Sequence, residues 1–588
     1  MLRMDGWRIA LLAAFAAFLQ APSAYADGLK VVYPSPGHVT TAERIFFIGT
    51  ANPGEAVWLN GRAVHRSSGG HFAPSAPLAV GRNEFHFVHR GESLRLSVVR
   101  KPLVSSVPQG AAFAPGTIEP ASDRVVQPGE PIRFSAVAAP GAVVTVHVGG
   151  KTVPLLPQPP AAVLPDNKAG LVGAVEPKRV KQVSYAGAIR FSAPGRLGKP
   201  IFGITVGTQR HQEMGPGALE VALPDNPKVI QVTAEEAVTR SGPSTDFSRL
   251  TPLPRGVRAA VTGQVGEWLR LSYGAWVNRS EVAELPGALV PTTLVRSVRL
   301  RSTPGATEIS WPLQQAVPFT VELSEGSLTL NLQHALAQTD IIRTDDDPLV
   351  RRLEWNQTAP EQVAYRLVLK QPQPGGFTAR YEGTTLTLRL KHAPPPPKEP
   401  GRLEGVRIVL DPGHGGAGDT GTRGPTGLRE KDLTLPVTRR LKEALERRGA
   451  RVWLTRDGDV DVGLKARTDQ IASLAPDLSL SIHYNALPDA GNAEMTRGFG
   501  AFWYHPQAHA LARSIHDRIT KGLGRPSYGI WWDNLALARP TVAPSVLLEL
   551  GFLTNPEEFE WCTDEKEQGN LVEAIADGVG DWLAGPRT

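Results

Sequence analysis

His414, Glu430, His483 and Glu549 are the side chains of this sequence whose types and settings could together do chemistry. Two histidines and a glutamate around an open fourth position make a zinc set suited to hydrolysis, and the open position holds the attacking water. An ion so held lowers the pKa of that water toward ~7. A second carboxylate nearby could take the proton and pass it to a leaving nitrogen. On this reading His414, Glu430 and His483 are metal ligands, and Glu549 is general base and then general acid. Cys562 is the only cysteine, so any transition metal must be held by His and carboxylate, and no internal disulfide can form. Cys562 itself reads as a small buried hydrophobe.

Each of the four interrupts or ends an apolar strand, or opens a helix. Val406-Arg-Ile-Val-Leu410 has the β-branched content of a buried strand, and Asp411, Pro412, Gly413, Gly415 and Gly416 punctuate its end. His414 thus lies just past a strand's C-terminal end, where ligands bind in open α/β sheets. Glu430 opens a helix predicted over about 432–448, with Leu433, Val437, Leu441, Ala444 and Leu445 on one face and Gly449 at its end. His483 ends the run Leu480-Ser-Ile-His483, and Glu549 lies inside Val546-Leu-Leu-Glu-Leu-Gly-Phe552. An ionised carboxylate buried without a partner costs several kcal/mol or shifts its pKa, so Glu549 needs a reason to be there. Further strands are expected over 451–455, 478–482, 500–504 and 545–550, and helices over 464–474, 507–522 and 571–583. Such alternation predicts a largely parallel sheet with helices on both faces. Singly, each residue also has an ordinary role: a hydrogen-bonded histidine at a strand end, a glutamate serving the helix dipole, or Glu549 paired with Arg456 or Arg467. The four positions form no short-range signature such as His-Glu-x-x-His, and spacing alone leaves both readings open.

Five blocks then add a resemblance. VLDPGHGG (409–416), GLREKD (427–432), LTRD (454–457), SIHYNA (481–486) and LELGFLTNP (548–556), in that order, are similar to the zinc-dependent N-acetylmuramoyl-L-alanine amidases, over residues 403–588. The resemblance implies a six-stranded α/β sheet, a Zn2+ cofactor, and the roles given above for His414, Glu430, His483 and Glu549. It also implies a reaction, hydrolysis of the amide between the lactyl group of muramic acid and the L-alanine of the peptidoglycan stem peptide. Arg467-Thr-Asp-Gln470 departs from the Ala-Asn that members often carry there. Some periplasmic relatives have a long inhibitory helical insertion, opened by an activator, after the strand equivalent to 500–504. Here Tyr504 leads almost directly into the next helix, so occlusion of that kind is not expected, and any activator is unidentified. Asn485, two past a ligand, could orient substrate. Trp531, Trp532 and Asn534, expected in a loop before the Glu549 strand, could line a sugar or peptide groove or simply pack. His505 and His509, four apart on the expected helix, read as surface residues rather than a metal pair.

The rest of the chain predicts a multidomain protein of several all-β modules ahead of this α/β domain. Arg3 and Arg8 precede the apolar run Ile9–Leu19, and Ala24-Tyr25-Ala26 offers a small-x-small cleavage site. That run is shorter than the ~20 residues a bilayer requires, so residues 1–26 read as a signal peptide. The mature chain would then be exported to the periplasm or cell envelope, with no later membrane span. Ile45–Gly54 with Ala56–Gly61 is echoed by Ile132–Gly141 with Val143–Gly150, which predicts tandem β-sandwiches over 29–103 and 116–223, and these resemble the Ig-like modules of exported bacterial proteins. Pro154–Val180 reads as a loop of the second. Residues 228–286, with Trp268 and Trp276, resemble a bacterial SH3-like barrel of the kind that binds cell-wall peptides, at least one tryptophan being expected in its core. Period-two runs over 294–392 predict strands that each bury one face of a sheet, a segment that resembles the AMIN-type β-domain, and Pro394–Pro397 stiffen a linker over 393–402. Residues 401–588 hold 22 Lys/Arg against 26 Asp/Glu, so of the chain's 63 Lys/Arg and 57 Asp/Glu the preceding part holds 41 and 31, a strongly positive balance. A basic N-terminal region suits an anionic polymer, while no dense basic cluster with interleaved aromatics points to nucleic acid. Two other readings stand beside a peptidoglycan amidase. One is a zinc hydrolase of another cell-wall bond, such as a stem-peptide link; the other is a non-catalytic wall-binding amidase regulator.

Overall fold

The computed structural model describes residues 28–585 apart from 103–107, 161, 165–170, 172–177, 180–182, 224–226, 345 and 400. The expected signal peptide and most of the 154–180 loop lie outside the described residues.

The apolar runs of the C-terminal part pair into one six-stranded sheet. Its strands are β1 (Arg407–Pro412), β2 (Arg451–Leu454), β3 (Leu478–Asn485), β4 (Phe499–Trp503), β5 (Ser527–Trp532) and β6 (Ser545–Phe552). Their spatial order is β2-β1-β3-β6-β4-β5. All neighbours run parallel except β4 with β6. Near-continuous burial along β1, β3 and β6 is what a sheet covered on both faces demands. Helix α1 (Glu430–Arg447) buries the expected face, Leu433, Val437, Leu441, Ala444 and Leu445, in one core with Ile408, Leu480, Val546 and the last helix. Helix α2 (Leu464–Leu474) lies over the other face, where Ile471 meets Val409 and Leu537.

Several bounds differ from the sequence pattern. The predicted 507–522 helix is a 3-10 turn, then α3 (His509–Asp517), then a wider turn over Arg518–Gly522. Helices α4 (Pro556–Thr563) and α5 (Glu565–Ala584) follow β6. Asn555 and Asp564 cap them by accepting from the amides of Glu558 and Glu567, which starts α5 before its apolar stripe begins. Trp531 and Trp532 belong to an edge strand, β5, and not to the expected loop. Cys562 is buried as expected.

Among the described residues upstream, the regular structure is almost entirely β. Residues 30–100 form small sheets around Ile45, Phe47, Phe72, Phe85 and Phe87. Residues 131–214 contribute a six-stranded antiparallel sheet. Strand Arg124–Val126 pairs with Leu219–Val221 and also with Arg258–Val265, so one sheet continues from the 116–223 segment into the 228–286 segment. Trp268 and Trp276 stay out of the core around Ile230, Leu269 and Val277; each lies about 6 Å from a guanidinium instead, at 6.0 Å from Arg240 and 5.9 Å from Arg270. The period-two runs of 294–392 become two sheets packed on Trp311, Leu330, Tyr365 and Leu388. Lys391, at the end of that region, bonds Asp477 at 2.6 Å, and the Phe377 amide donates to the Thr541 carbonyl at 2.7 Å, so it docks on the α/β domain.

Candidate metal centre

His414, Glu430 and His483 meet at the C-terminal rim of the sheet. Their ligand atoms all lie within 4.8 Å of one another, and no other such group of three occurs among the described residues. Glu430 is the hinge of the set. Its Oε2 is 3.1 Å from His414 Nε2 and its Oε1 is 3.0 Å from His483 Nδ1. Tetrahedral ligands at zinc distances stand roughly 3.3 Å apart, so these separations suit such an ion. Charge agrees with geometry. Burial disfavours the imidazolium of His414, yet Glu430 and Asp419 outweigh it and raise its pKa to about 9. His483 is raised in the same way by Glu430 and then Glu549, and burial of Glu430 is overcome by the two imidazoles, which hold its carboxyl well below the usual range. A cradle that favours positive charge on its own nitrogens favours a cation.

Local sequence explains how three distant side chains come together. His414 takes a left-handed backbone with φ of 57°. Two arginines hold that turn from below. Arg456 donates to the carbonyls of Pro412 and Gly413, and Arg467 to those of Pro412 and His414, all at 2.7–2.9 Å. Gly413 is needed for close approach, since a Cβ there would stand 2.4 Å from the His483 ring. Gly421, at φ of 66°, is likewise pressed against Glu430 and His414. Asp419 accepts from His414 Nδ1 at 2.5 Å, which fixes the tautomer and turns Nε2 toward Glu430.

Glu549 neighbours His483 in the β3–β6 register. Its Oε2 is enclosed and has no hydrogen-bond partner among the described residues. Burial, opposed by the His483 charge and reinforced by Glu430, raises its pKa to about 8. The pairing with Arg456 or Arg467 does not form: Arg467 instead pairs with buried Asp411 at 2.8 Å. Glu549 is thus an enclosed carboxyl with one unpartnered oxygen beside the His–Glu–His group.

The other candidates divide. Asn485 sits at the same rim; its Oδ1 accepts from the Ala486 amide and its Nδ2 is enclosed and unpartnered. Trp531 packs on Tyr528, whose ring lies against Gly500, the residue opposite Glu549. Trp532 pairs in register with Trp503, which itself pairs with Val546. That is three residues, about 10 Å, from the level of Glu549. Trp532 stacks on Tyr504, and the Asn534 oxygens accept from Arg539. The structure therefore does not bring Trp532 and Asn534 to the metal group. His505 and His509 are half-buried and packed, against Phe377 and Trp503 respectively, rather than on the free surface. Sequence reasoning missed Asp419, Asp411 and Tyr528; a carboxylate five residues past His414 in a glycine-rich turn was the available signal for the first.

The rim of this α/β sheet thus gathers a His–Glu–His group that could hold a metal, with an enclosed carboxyl beside it. Residues 408–581 match the family model described as N-acetylmuramoyl-L-alanine amidase, so the C-terminal domain is a domain of that family. A protein named probable cell wall amidase LytH, of Staphylococcus aureus, is 38% identical over 184 residues, 31% of this chain and 60% of that protein. The chain thus spans about 60% of the length of the curated relatives it matches. Among solved structures, N-acetylmuramoyl-L-alanine amidase AmiC2 of Nostoc punctiforme is 31% identical and covers 31% of this chain and 99% of its own, with a TM-score of 0.29. The catalytic domain of CwlV, an N-acetylmuramoyl-L-alanine amidase of Bacillus (Paenibacillus) polymyxa var. colistinus, is 29% identical and covers 30% of this chain and 98% of its own, also at 0.29.

Proposed function

We propose that this chain is an exported peptidoglycan hydrolase of the periplasm or cell envelope that cleaves the amide between N-acetylmuramic acid and L-alanine, with Zn2+ as cofactor. The observation that carries the reading is the enclosed, unpartnered Oε2 of Glu549 next to His414, Glu430 and His483 in a domain matching the amidase family model. Zn2+ bound in that cradle would supply Lewis acidity, enough to let a water lose a proton near neutrality. His414, Glu430 and His483 would hold the ion, and Asp419, bonded to His414 Nδ1, fixes the orientation of that imidazole. Glu549 takes the proton from the attacking water and then delivers it to the alanine nitrogen as the amide breaks. Asn485, with its free Nδ2 at the rim, is placed to orient the substrate. The β-modules, the 228–286 barrel among them, hold the enzyme at the wall. Among the described residues no helix is long and apolar enough to cross a membrane.

Digestion of purified sacculi by the full-length protein tests this. Free lactyl carboxylates and new L-alanine amino termini are expected, and both should vanish with chelator and return with zinc. Cleavage at a stem-peptide link instead would assign the other hydrolase reading, and zinc-replete protein that releases nothing would leave the regulator reading.

A further inference from the structure

The connection between β3 and β4, residues 486–498, leaves the sheet at Asn485, two past His483, and rejoins it next to Gly500, opposite Glu549. It therefore runs along the rim from the metal group to the acid–base carboxyl, and a polymer lying across the site must pass beside it. The segment forms no helix or strand. Its apolar residues Leu487 and Ala493 enter a cluster whose other members, Tyr33, Phe46, Ile48 and Ala73, lie outside the segment, so the loop is not fixed by its own packing.

The C-terminal end of the loop is held within the α/β domain, where Asn555 Nδ2 donates to the carbonyls of Glu494 and Thr496 and Glu558 accepts from the Gly498 amide. The support of its first half comes from residues 30–77, far away in sequence. The Tyr33 hydroxyl donates to Asp489, and His38 Nε2 lies 2.9 Å from the other oxygen of the same carboxylate. Phe46, Ile48 and Ala73 close a small apolar core with Ala493, which has no exposed surface, and Leu487 packs against it. The same module touches the loop joining His414 to Glu430, where Lys30 Nζ donates to the Thr426 carbonyl at 2.7 Å. Both rim loops that bracket the metal group are thus gripped by the most N-terminal module among the described residues.

We infer that the first β-module is a working part of the hydrolase site: it positions the 486–498 loop and so sets how tightly polymeric substrate is held, while touching neither the metal cradle nor Glu549. Tyr33, His38 and Asp489 are positioning residues. The inference rests on the amidase reading only for the identity of the polymer.

The test uses full-length, zinc-loaded protein and two variants, Tyr33→Phe combined with His38→Ala, and Ala493→Asp. Hydrogen exchange is read over 487–497, with β1, β3 and β6 as controls. Loss of two hydrogen bonds to one carboxylate should speed exchange in the loop by about tenfold or more, with the control strands and zinc content unchanged. The sacculus concentration giving half-maximal rate should rise several-fold while kcat stays within about twofold. Co-sedimentation of chelator-treated protein with sacculi should weaken in parallel. Unchanged loop exchange overturns the inference, as does a loosened loop with unchanged half-saturation, or a uniform rise in exchange with loss of kcat. If the wild type releases no L-alanine termini, the amidase reading fails while the exchange and co-sedimentation arms still decide this one.

Discussion

Two carboxylates are enclosed at the same rim of the sheet, and they have opposite surroundings. Asp411, in β1, is 1% exposed and accepts from Arg467 Nη1 at 2.8 Å, Ser481 Oγ at 2.6 Å and the Thr455 hydroxyl. Burial would raise its pKa, but these partners win and hold it below the ordinary value. Glu549, in β6, has an enclosed oxygen with no partner among the described residues, and its pKa rises to about 8. Burial is therefore not what marks a reactive carboxyl here; the donors around it are. Asp411 fixes Arg467, whose remaining donors hold the carbonyls of Val462, Pro412 and His414, so it builds the turn that presents His414. Glu549 is left able to gain and lose a proton.

The comparison breaks most sharply at Glu549→Gln. A general acid–base group contributes about 10²–10⁴ in rate, so turnover should fall by that factor while zinc content and fold persist; retained turnover refutes the role. Stability should move the other way. Because the folded pKa is raised, the folded state keeps a proton that the unfolded chain has released between about pH 4.3 and about pH 8, and stability falls as pH rises through that window. Metal-free Glu549→Gln should therefore melt higher than the metal-free wild type at pH 8, and the gap should close near pH 4.

Asp411→Asn should show the reverse balance. Breaking a buried ion pair typically costs about 3–5 kcal/mol, so a large loss of stability in urea unfolding is expected at pH 7. The folded pKa is depressed here, so this stability is present above the unfolded value of about 4 and is lost as pH falls below it. The variant should lack that acid-side component. If both substitutions gave the same pH slope, the two carboxylates would not differ as their partners say.

What the sequence made legible follows from the same physics. His414, Glu430, His483 and Glu549 could be singled out because each breaks a local pattern, Glu549 most clearly as one charge within Val546-Leu-Leu-Glu-Leu550. The buried face of α1 and the sheet strands β1, β3 and β6 were readable for the same reason, since period and β-branched content are local. Arg467 with Asp411 could not be read, because 56 residues separate partners joined only by register. Edge strand β5 was missed because six residues with a central glycine carry little pattern, and Trp531 and Trp532 were consequently taken for loop. The grip of Tyr33 on Asp489, 456 residues apart, depends on docking between domains and leaves no periodic trace at all.

A third carboxylate sharpens the comparison with a smaller effect. Asp419 is bound to His414 Nδ1 like a structural group, yet its side chain is 59% exposed, so the fold does not lean on it as it does on Asp411. Its work is orientation: with Nδ1 engaged, Nε2 points at Glu430 and the imidazole has one face of approach for a cation. Removing a carboxylate of this kind typically costs 10–100-fold in metal affinity. Asp419→Ala should show that loss in competition with a chromophoric chelator, with unchanged urea unfolding of the metal-free protein. Asp419→Asn, which keeps an acceptor oxygen, should lose less. On the proposed ligand set His414 would give up a proton to bind metal, and Glu430 and Asp419 raise its pKa to about 9, so affinity in the wild type should climb with pH between about 6 and 9. In Asp419→Ala, one of the two carboxylates that raise the pKa is gone, so the climb should level off at lower pH. An unchanged affinity and an unchanged pH profile together would show that Asp419 only decorates the turn.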